Sequence, residues 1–181
     1  LLPEMSLADL PNNLRQAVGR AGWPGLMPVQ TRAIPYLLQG RDVMVQARTG
    51  SGKTGAYLLP MLERLDARKD HPQALVLVPT RELAHQVAGQ ANLLLDPVGM
   101  RSVAVYGGVG YGAQTEALKG GAQVVIGTPG RVLDHLLKRT FNLDRLRMLI
   151  FDEADRMLSM GFYPDMQQVQ RYLPKQAVHT S

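Results

Sequence analysis

The sequence predicts an α/β fold in which a mostly parallel central sheet carries helices on both of its faces. Strand-like and helix-like segments alternate along the 181 residues, which is typical of strands joined by right-handed crossover connections. The run Ala74–Val78 is apolar throughout, as expected for a strand buried on both faces of a parallel sheet. A second strand-like run, Asp42–Gln46, leads through a glycine-rich turn into an apolar-periodic segment. We therefore expect one domain over residues 1–181, with a lead-in region at 1–40 and the core at 41–181.

The lead-in region is predicted to combine a helix with an irregular loop. Apolar residues recur with helical spacing over residues 10–18, and Gly22 ends this helix. The next segment, Gly22–Gln30, holds two prolines and two glycines, which favour a shaped loop over regular structure. Gln30 then opens a short helix.

The core is predicted to alternate strands and helices to its end. The helix Lys53–Leu65 contains Pro60, which should kink it. Thr128 and Pro129 are predicted as the cap and first residue of a later helix. His85 and His135 are expected on exposed helix faces. Further strands are predicted at 102–106, 124–126, 148–151 and 177–180. Further helices are predicted at 83–95, 111–119 and 128–139. Two more helices follow, one that ends at 161 and one that begins near 164.

The stretch Ala47–Thr54 has the residue types of a phosphate-binding loop. Glycines at 50 and 52 allow the backbone to curl so that successive N–H groups face phosphate oxygens. The helix that starts near Lys53 presents free N–H groups and its positive dipole end to the anion. Lys53 adds a charge near the outer phosphates, and the Thr54 hydroxyl is a ligand for Mg2+. Ala47 stands where the general pattern has its first glycine, so a plain glycine-rich turn is the alternative.

Composition bounds the class of protein without fixing its function. The net charge is +5, compatible with a polyanionic partner, but the charges are dispersed and form no basic block. The absence of cysteine rules out disulfides and thiolate-bound zinc. No apolar run approaches the ~20 residues that span a bilayer, and no signal peptide is visible. We therefore expect a cytoplasmic protein that makes no membrane contact.

Two acids follow the predicted strand at 148–151. Asp152 ends this apolar run, the position of the Mg2+-holding acid in a phosphate-loop NTPase. Glu153 comes directly after it, where a carboxylate could deprotonate an attacking water. The alternative is a solvated acidic strand end. The pair predicts hydrolysis of the nucleotide as well as binding.

Polar or glycine-rich turns follow each predicted strand of the core. Carboxyl ends of parallel strands meet at one edge of a sheet, where ligands bind in open α/β folds. Gln30 could add an amide that pairs with the N6 and N7 edge of adenine, although taken alone it is better read as an exposed polar residue at a helix start. The turns predicted at this edge are 49–54, 79–82, 107–108, 128–131 and 152–155.

With these residues in view, the chain resembles the first RecA-like domain of a DEAD-box ATP-dependent RNA helicase over nearly its whole length. Asp152-Glu153-Ala154-Asp155 spells the family's name, and Ala47–Thr54 matches the family's motif I, which itself begins with Ala. The segments 79–86, 107–108 and 128–131 match motifs Ia, GG and Ib, and Gly22–Gln30 resembles the adenine-recognising Q motif. Ser181 falls where motif III would begin. The run Val105–Gly112 is most similar to bacterial members, including the heat-resistant RNA-dependent ATPase type.

The resemblance implies a role for each matched residue. ATP would be bound by Gln30, Arg48, Thr49, Gly50, Ser51, Gly52, Lys53 and Thr54, with Lys53, Asp152 and Glu153 as the catalytic residues. Mg2+ would be held by Thr54 and, through water, by Asp152. The RNA backbone would be held by Pro79, Thr80, Arg81, Gly108, Thr128, Gly130 and Arg131. Asp155 and Ser181 would link the nucleotide state to domain closure.

The resemblance also implies a partner domain. A second RecA-like domain, which this chain lacks, would supply arginine fingers and the rest of the RNA surface. Residues 1–181 alone should therefore bind nucleotide weakly, with negligible hydrolysis and no unwinding. Two other classes stay open: another phosphate-loop enzyme, such as a DNA helicase or nucleotide kinase, and a non-catalytic clamp that only holds RNA.

Overall fold

The structure is a computed structural model that describes residues 1–41, 43, 50 and 52–174. Except for Val43, the predicted strand at 42–46 lies outside the described residues, as does the predicted last strand at 177–180. Within the described part, no helix combines the length and the apolar character needed to cross a bilayer.

Four strands of the described residues form one parallel sheet. They are β1 (Ala74–Leu77), β2 (Ser102–Val105), β3 (Val124–Gly127) and β4 (Met148–Phe151), and they lie in the order β2-β3-β1-β4. Every adjacent pair is parallel, with Leu77 in register with Gly127 and with Phe151. The predicted parallel sheet is confirmed, and the carboxyl ends of the four strands therefore meet at one edge.

Helices cover both faces of the sheet, as the sequence predicted. Successive residues of β1 point to opposite faces: Val76 joins one hydrophobic cluster, and its neighbours Leu75 and Leu77 join another. The helices of the first face are α1 (Asn12–Arg20), α2 (Pro28–Leu38), α3 (Lys53–Leu58), α4 (Met61–Arg64) and α5 (Arg81–Leu95). The helices of the second face are α6 (Gly112–Lys119), α7 (Pro129–Leu137), α8 (Ala154–Ser159) and α9 (Tyr163–Gln170).

Pro60 does more than bend the helix predicted over 53–65. The segment forms two separate helices, α3 and α4, with Pro60 at the residue before α4. Proline has no N–H to continue the helical hydrogen-bond series, so the break falls where the ring stands. The result is that α3 is short, with Tyr57 and Leu58 among its buried side chains.

Candidate functional site

Four of the five predicted polar turns lie together at the carboxyl edge of the sheet. Thr80, Thr128 and Asp152 each follow closely after a strand of the parallel sheet, and Gly107-Gly108 follow β2. The backbone N–H of Asp152 donates to the Leu77 carbonyl, which fixes the first acid beside the end of β1. One edge of the domain therefore carries all of these turns.

A buried ion pair joins the first residue of α3 to the end of β4. Lys53 Nζ lies 2.8 Å from Asp152 Oδ1, and the Asp152 side chain is 1% exposed against 20% for Lys53. The Tyr57 hydroxyl, one turn along α3, donates to Asp152 Oδ2 at 2.8 Å. Burial, and then the charge of Asp152, raises the pKa of Tyr57 well above its ordinary value, so the hydroxyl remains a donor.

The Asp152 carboxylate suits a hard cation. Its Oδ1 accepts no well-directed hydrogen bond in the described part of the chain, so the Lys53 contact is an ion pair of poor hydrogen-bond geometry. Mg2+ takes oxygen ligands and is commonly held by one or two carboxylates together with substrate phosphates. The Asp152 carboxylate, together with the Thr54 hydroxyl in the first turn of α3, therefore fits such an ion.

Glu153 adopts a backbone conformation that is rare for its residue type. Its φ and ψ are 57° and 52°, in the left-handed region, and it is the residue before α8. Non-glycine residues reach this region at an energetic cost and do so often at functional sites. The Glu153 side chain is half-buried, with Arg156 Nη1 3.5 Å from Oε1. The turn therefore points the second acid away from the direction that continued strand geometry would give.

Gln30 connects the lead-in loop to the glycine turn before α3. Its Oε1 accepts from the Met27 N–H at 2.8 Å, and its Nε2 donates to the Gly52 carbonyl at 3.0 Å. The residue is 2% exposed, unlike the exposed helix start that was the alternative reading. Within the described residues, one lone pair of Oε1 and one N–H are left for a further partner.

Two glycines are required by the packing around Gln30. Gly52 has φ +88°, and a Cβ there would lie 2.8 Å from Gln30 Nε2. A Cβ on Gly55 would lie 2.6 Å from the Trp23 ring and 2.7 Å from Gln30 Nε2. The loop of the lead-in region is therefore packed directly against α3, where any larger residue would force it away.

The two threonines predicted at the RNA surface differ in their local role. Thr80 caps α5, since its hydroxyl accepts from the Leu83 N–H at 3.2 Å. Thr128 occupies the corresponding position before α7, with Pro129 as the first helical residue, but its side chain makes no capping hydrogen bond. The predicted cap at Thr128 is right in position and wrong in mechanism, because the hydroxyl does not satisfy a helix N–H.

Arg81 is exposed beside the glycine turn after β2. Its guanidinium lies 5.4 Å from the centroid of the Tyr106 ring, and its Nη1 would be 3.3 Å from a Cβ on Gly108. Gly108 has φ +83°, which disfavours a side chain there for a second reason. The structure thus brings motif Ia and the GG turn together, as expected for a shared surface.

Arg131 is held inside the domain more firmly than the sequence suggested. It is 9% exposed, and its Nη1 and Nη2 donate to Gln114 Oε1 at 3.3 Å and to the Val109 carbonyl at 2.8 Å. Its guanidinium also lies 3.8 Å from the centroid of the Tyr111 ring. Arg131 therefore connects α7 to the segment that contains Gly108.

His135 was expected on an exposed face of α7, and that expectation is wrong. The residue is fully buried, because α6 packs its side of the helix and Gln114 Oε1 lies 3.1 Å from His135 Nε2. Burial first, and then the charges of Arg131 and Lys138, lower the pKa of His135, which favours the neutral ring. His85 is exposed, as predicted.

Not every predicted site residue can be placed. Arg48, Thr49, Ser51 and Ser181 lie outside the described residues. Asp155 is exposed in the first turn of α8. Gly130 lies in α7, where a Cβ would make an ordinary contact with Asp165 Oδ2 at 3.8 Å.

Sequence reasoning missed two buried polar residues that support the site, Tyr57 and Gln114. Each carried a signal in its spacing. Tyr57 lies four residues after Lys53, so the two share a helix face. Gln114 lies four residues before the buried Leu118, on the inward face of α6, where a polar residue needs a buried partner.

The fold and this edge define a class of protein: a RecA-like α/β domain that pairs a lysine at a helix start with an acid at a strand end. Within that class, the chain belongs to the DEAD/DEAH box helicase family, which matches residues 27–181. This confirms the resemblance seen in the motifs.

Relatives agree over nearly the whole chain. The ATP-dependent RNA helicase DeaD of Haemophilus influenzae is 50% identical over 167 residues, which are 92% of this chain and 27% of that protein. The Escherichia coli K12 protein of the same name is 46% identical over 95% of the chain and 28% of its own length. A crystal structure of a DEAD box protein from Methanococcus jannaschii superposes with a TM-score of 0.89 at 36% identity, covering 96% of this chain and 48% of that one. The chain thus spans about a quarter of the length of the two DeaD helicases.

Proposed function

We propose that residues 1–181 form the nucleotide-binding half of a cytoplasmic, ATP-dependent RNA helicase, which also holds the RNA backbone. The observation that carries the proposal is the buried Lys53–Asp152 pair, set at the same sheet edge as the turns of Arg81, Gly108 and Arg131. One edge therefore offers a polyphosphate site beside a surface suited to a second polyanion. Two relatives that match most of this chain are named ATP-dependent RNA helicases, which supports the same reading.

Nucleotide binding would exchange the partners of the buried ion pair. Lys53 would turn from Asp152 to the outer phosphates of ATP, a larger negative charge, as lysines of phosphate loops do. Thr54 and, through water, Asp152 would then hold Mg2+, and the ion would neutralise charge on the phosphate oxygens. Tyr57 would keep its hydrogen bond to Asp152 Oδ2 and so hold the carboxylate in place. Gln30 would use its remaining N–H and lone pair for the adenine edge.

Glu153 would act as the general base of hydrolysis. It would take a proton from the water whose oxygen attacks the terminal phosphorus, and ADP would leave with the electrons of the broken P–O bond. The strained backbone at Glu153 supports this role, because strain at a single acid next to a metal-binding acid is typical of a functional turn.

RNA would lie across the remaining turns without being read for sequence. Backbone N–H groups near helix starts, together with arginine, bind phosphate and carry no base information. Contacts to 2′-hydroxyls would favour RNA over DNA. The residues proposed for this surface are Pro79, Thr80, Arg81, Gly108, Thr128, Gly130 and Arg131.

Turnover and unwinding would need a second RecA-like domain in the same protein. Asp155 and Ser181 would couple the nucleotide state to closure of the two domains. Residues 1–181 alone should bind nucleotide weakly and hydrolyse it negligibly. Robust RNA-stimulated turnover by this segment alone would contradict that part of the proposal.

The test is ATP hydrolysis by the full-length protein with Mg2+, measured with single-stranded RNA, with DNA of the same sequence, and with neither. We expect stimulation by RNA, and a loss of about 10²- to 10⁴-fold in the Glu153→Gln variant, the range for removal of a general base. Glu116→Gln, an exposed acid on α6, serves as the matched control and should retain activity. Equal stimulation by DNA would instead identify a DNA helicase. RNA binding without turnover in any condition would identify a clamp.

A further inference from the structure

We infer that Gln114, which matches none of the motifs, positions the RNA surface by joining α7 to the segment that carries Gly108. The inference rests on the proposed function, since it concerns the RNA surface of the same edge. Gln114 is 6% exposed and lies on the inner side of α6, between the end of β2 and α7. It would touch no RNA itself and would act through Arg131.

Three hydrogen bonds from one amide make this connection. Gln114 Nε2 donates to the Tyr106 carbonyl at 3.0 Å, at the residue just before the two glycines of the turn. Gln114 Oε1 accepts from Arg131 Nη1 at 3.3 Å and lies 3.1 Å from His135 Nε2. Arg131 and His135 are four residues apart on α7, so they present their side chains on one face of that helix.

The chemistry of the partners fixes the orientation of this amide. A backbone carbonyl can only accept and a guanidinium can only donate, so the Gln114 nitrogen must face Tyr106 and its oxygen must face Arg131. His135 Nε2, next to the same oxygen, must then carry the ring proton. His135 Nδ1 is left as a buried atom without a hydrogen-bond partner in the described residues, which is tolerated best by a neutral ring.

Arg131 extends the connection to the outer part of the segment. Its Nη2 donates to the Val109 carbonyl at 2.8 Å, next to Gly108. Tyr111 adds further contacts: its ring centroid is 3.8 Å from the Arg131 guanidinium carbon and 3.5 Å from Lys138 Nζ, and its hydroxyl donates to Asp134 Oδ2 at 2.7 Å. Residues 106–111 are thus held to α7 at both ends.

Loss of the Gln114 amide would release this arrangement at its centre. Arg131 would lose one acceptor, and the His135 ring would lose its only hydrogen-bond partner among the described residues, in a place that water reaches poorly. The Tyr106 carbonyl would lose its donor at the same time. Because Gly108 follows Tyr106 by two residues, the turn and the start of α7 would no longer keep one fixed spacing, which a bound phosphate backbone requires.

The test compares Gln114→Leu with Gln123→Leu in the full-length protein. Gln123 is a matched control because it is also a buried glutamine with three hydrogen bonds, to Arg101, Ala67 and Lys69, remote from the RNA turns. We expect Gln114→Leu to weaken binding of a short single-stranded poly(U) RNA about tenfold, a change of the size caused by loss of a buried hydrogen-bonded support. Binding of an ATP analogue with Mg2+ should change less than twofold in either variant, and Gln123→Leu should keep its RNA affinity.

A double-mutant cycle distinguishes positioning from general loosening. If Gln114 acts through Arg131, adding Gln114→Leu to Arg131→Ala should weaken RNA binding no further. The inference would be overturned if the two single losses of RNA affinity multiplied in the double variant, or if Gln123→Leu lost as much RNA affinity as Gln114→Leu. Should Gln114→Leu also lose nucleotide binding, Gln114→Asn decides: its shorter amide cannot reach both Tyr106 and α7, so unchanged RNA affinity there would overturn the inference. A wild-type protein that binds no RNA would refute the proposed function instead.

Discussion

The two halves of the carboxyl edge hold their charges in opposite ways. The nucleotide half of this edge is the part that carries Lys53 and Asp152, and the RNA half is the part that carries Arg81, Gly108 and Arg131. In the nucleotide half, the positive Lys53 and the negative Asp152 lie 2.8 Å apart and neutralise one another. In the RNA half, Arg131 makes no salt bridge within the described residues; its hydrogen bonds go to the neutral Gln114 amide and the Val109 carbonyl. One half is a charge pair, and the other is a cation held by neutral groups.

This difference teaches what each half must do when its ligand arrives. A lysine already paired with an acid has to change partners, so nucleotide binding is coupled to a rearrangement at the strand end. An arginine held by neutral acceptors keeps its full charge while its position is fixed, so the RNA half needs no such exchange. Variants that remove the cations, the supporting hydroxyls and the small residues of each half in turn test whether the two halves differ in this way.

The largest expected effect is that of Lys53→Met on stability. It leaves Asp152 as a buried carboxylate without its cation, which should cost about 3 kcal/mol of the free energy of unfolding. Arg131→Met removes a cation but leaves no buried charge, and should cost about 1–2 kcal/mol. Urea unfolding of residues 1–181 measures both. Equal losses would show that the two cations are held alike, and Lys53→Met/Asp152→Asn should recover part of the first loss.

Next come the two tyrosines that donate to carboxylates. Tyr57→Phe removes a hydrogen bond to the buried Asp152 and should cost about 2 kcal/mol, as expected for a bond to a charged group. Tyr111→Phe removes the bond to Asp134, which is half-exposed, and should cost distinctly less stability than Tyr57→Phe.

The same urea experiment serves for the tyrosines, with a second readout of nucleotide affinity at varied Mg2+. Tyr57→Phe should raise the Mg2+ concentration needed for tight binding, because Asp152 then lacks the hydrogen bond that holds its carboxylate in place once Lys53 has turned to the phosphates. Tyr111→Phe should leave that concentration unchanged. A Mg2+ response that is identical in both variants would remove Tyr57 from the nucleotide half.

The glycines test how closely each half is packed. Gly55→Ala places a methyl group against Trp23 and Gln30 and should cost about 1–3 kcal/mol through overpacking. Gly130→Ala meets only Asp165, at 3.8 Å, and its higher helix propensity should add about 0.5–1 kcal/mol of stability. Thermal unfolding compares them directly. A loss in Gly130→Ala would mean that α7 is as crowded as α3.

The fold could be predicted from the sequence because its strongest signals are local. Apolar runs such as Ala74–Val78 and helix starts such as Thr80 and Pro129 depend on neighbours within a few residues. The single misjudged break, at Pro60, was a matter of degree, since a ring that removes one N–H can bend a helix or divide it.

The candidate site could be predicted only in part, since its supports depend on contacts far apart in the chain. Lys53 and Asp152 were identified by motif, but the Tyr57 hydroxyl that orients Asp152 comes from 95 residues away. His135 was misplaced because α7 presents several apolar residues, and only the packing of α6 shows which face is fully covered. A buried polar network is settled by tertiary geometry, which periodicity does not contain.

The smallest expected effect separates two hydroxyls of the RNA half. Thr80→Ala removes a helix cap and should cost about 1 kcal/mol, whereas Thr128→Ala removes no capping bond and should cost less than about 0.5 kcal/mol. Both variants should weaken RNA binding if both hydroxyls contact the RNA backbone. Thr80→Ala should then lower both the free energy of unfolding and the RNA affinity, whereas Thr128→Ala should lower mainly the RNA affinity. Urea unfolding and RNA titration on the same samples measure this. A Thr128→Ala variant that loses stability but keeps RNA affinity would make that hydroxyl structural, and would shift the RNA surface toward Arg81 and Gly108.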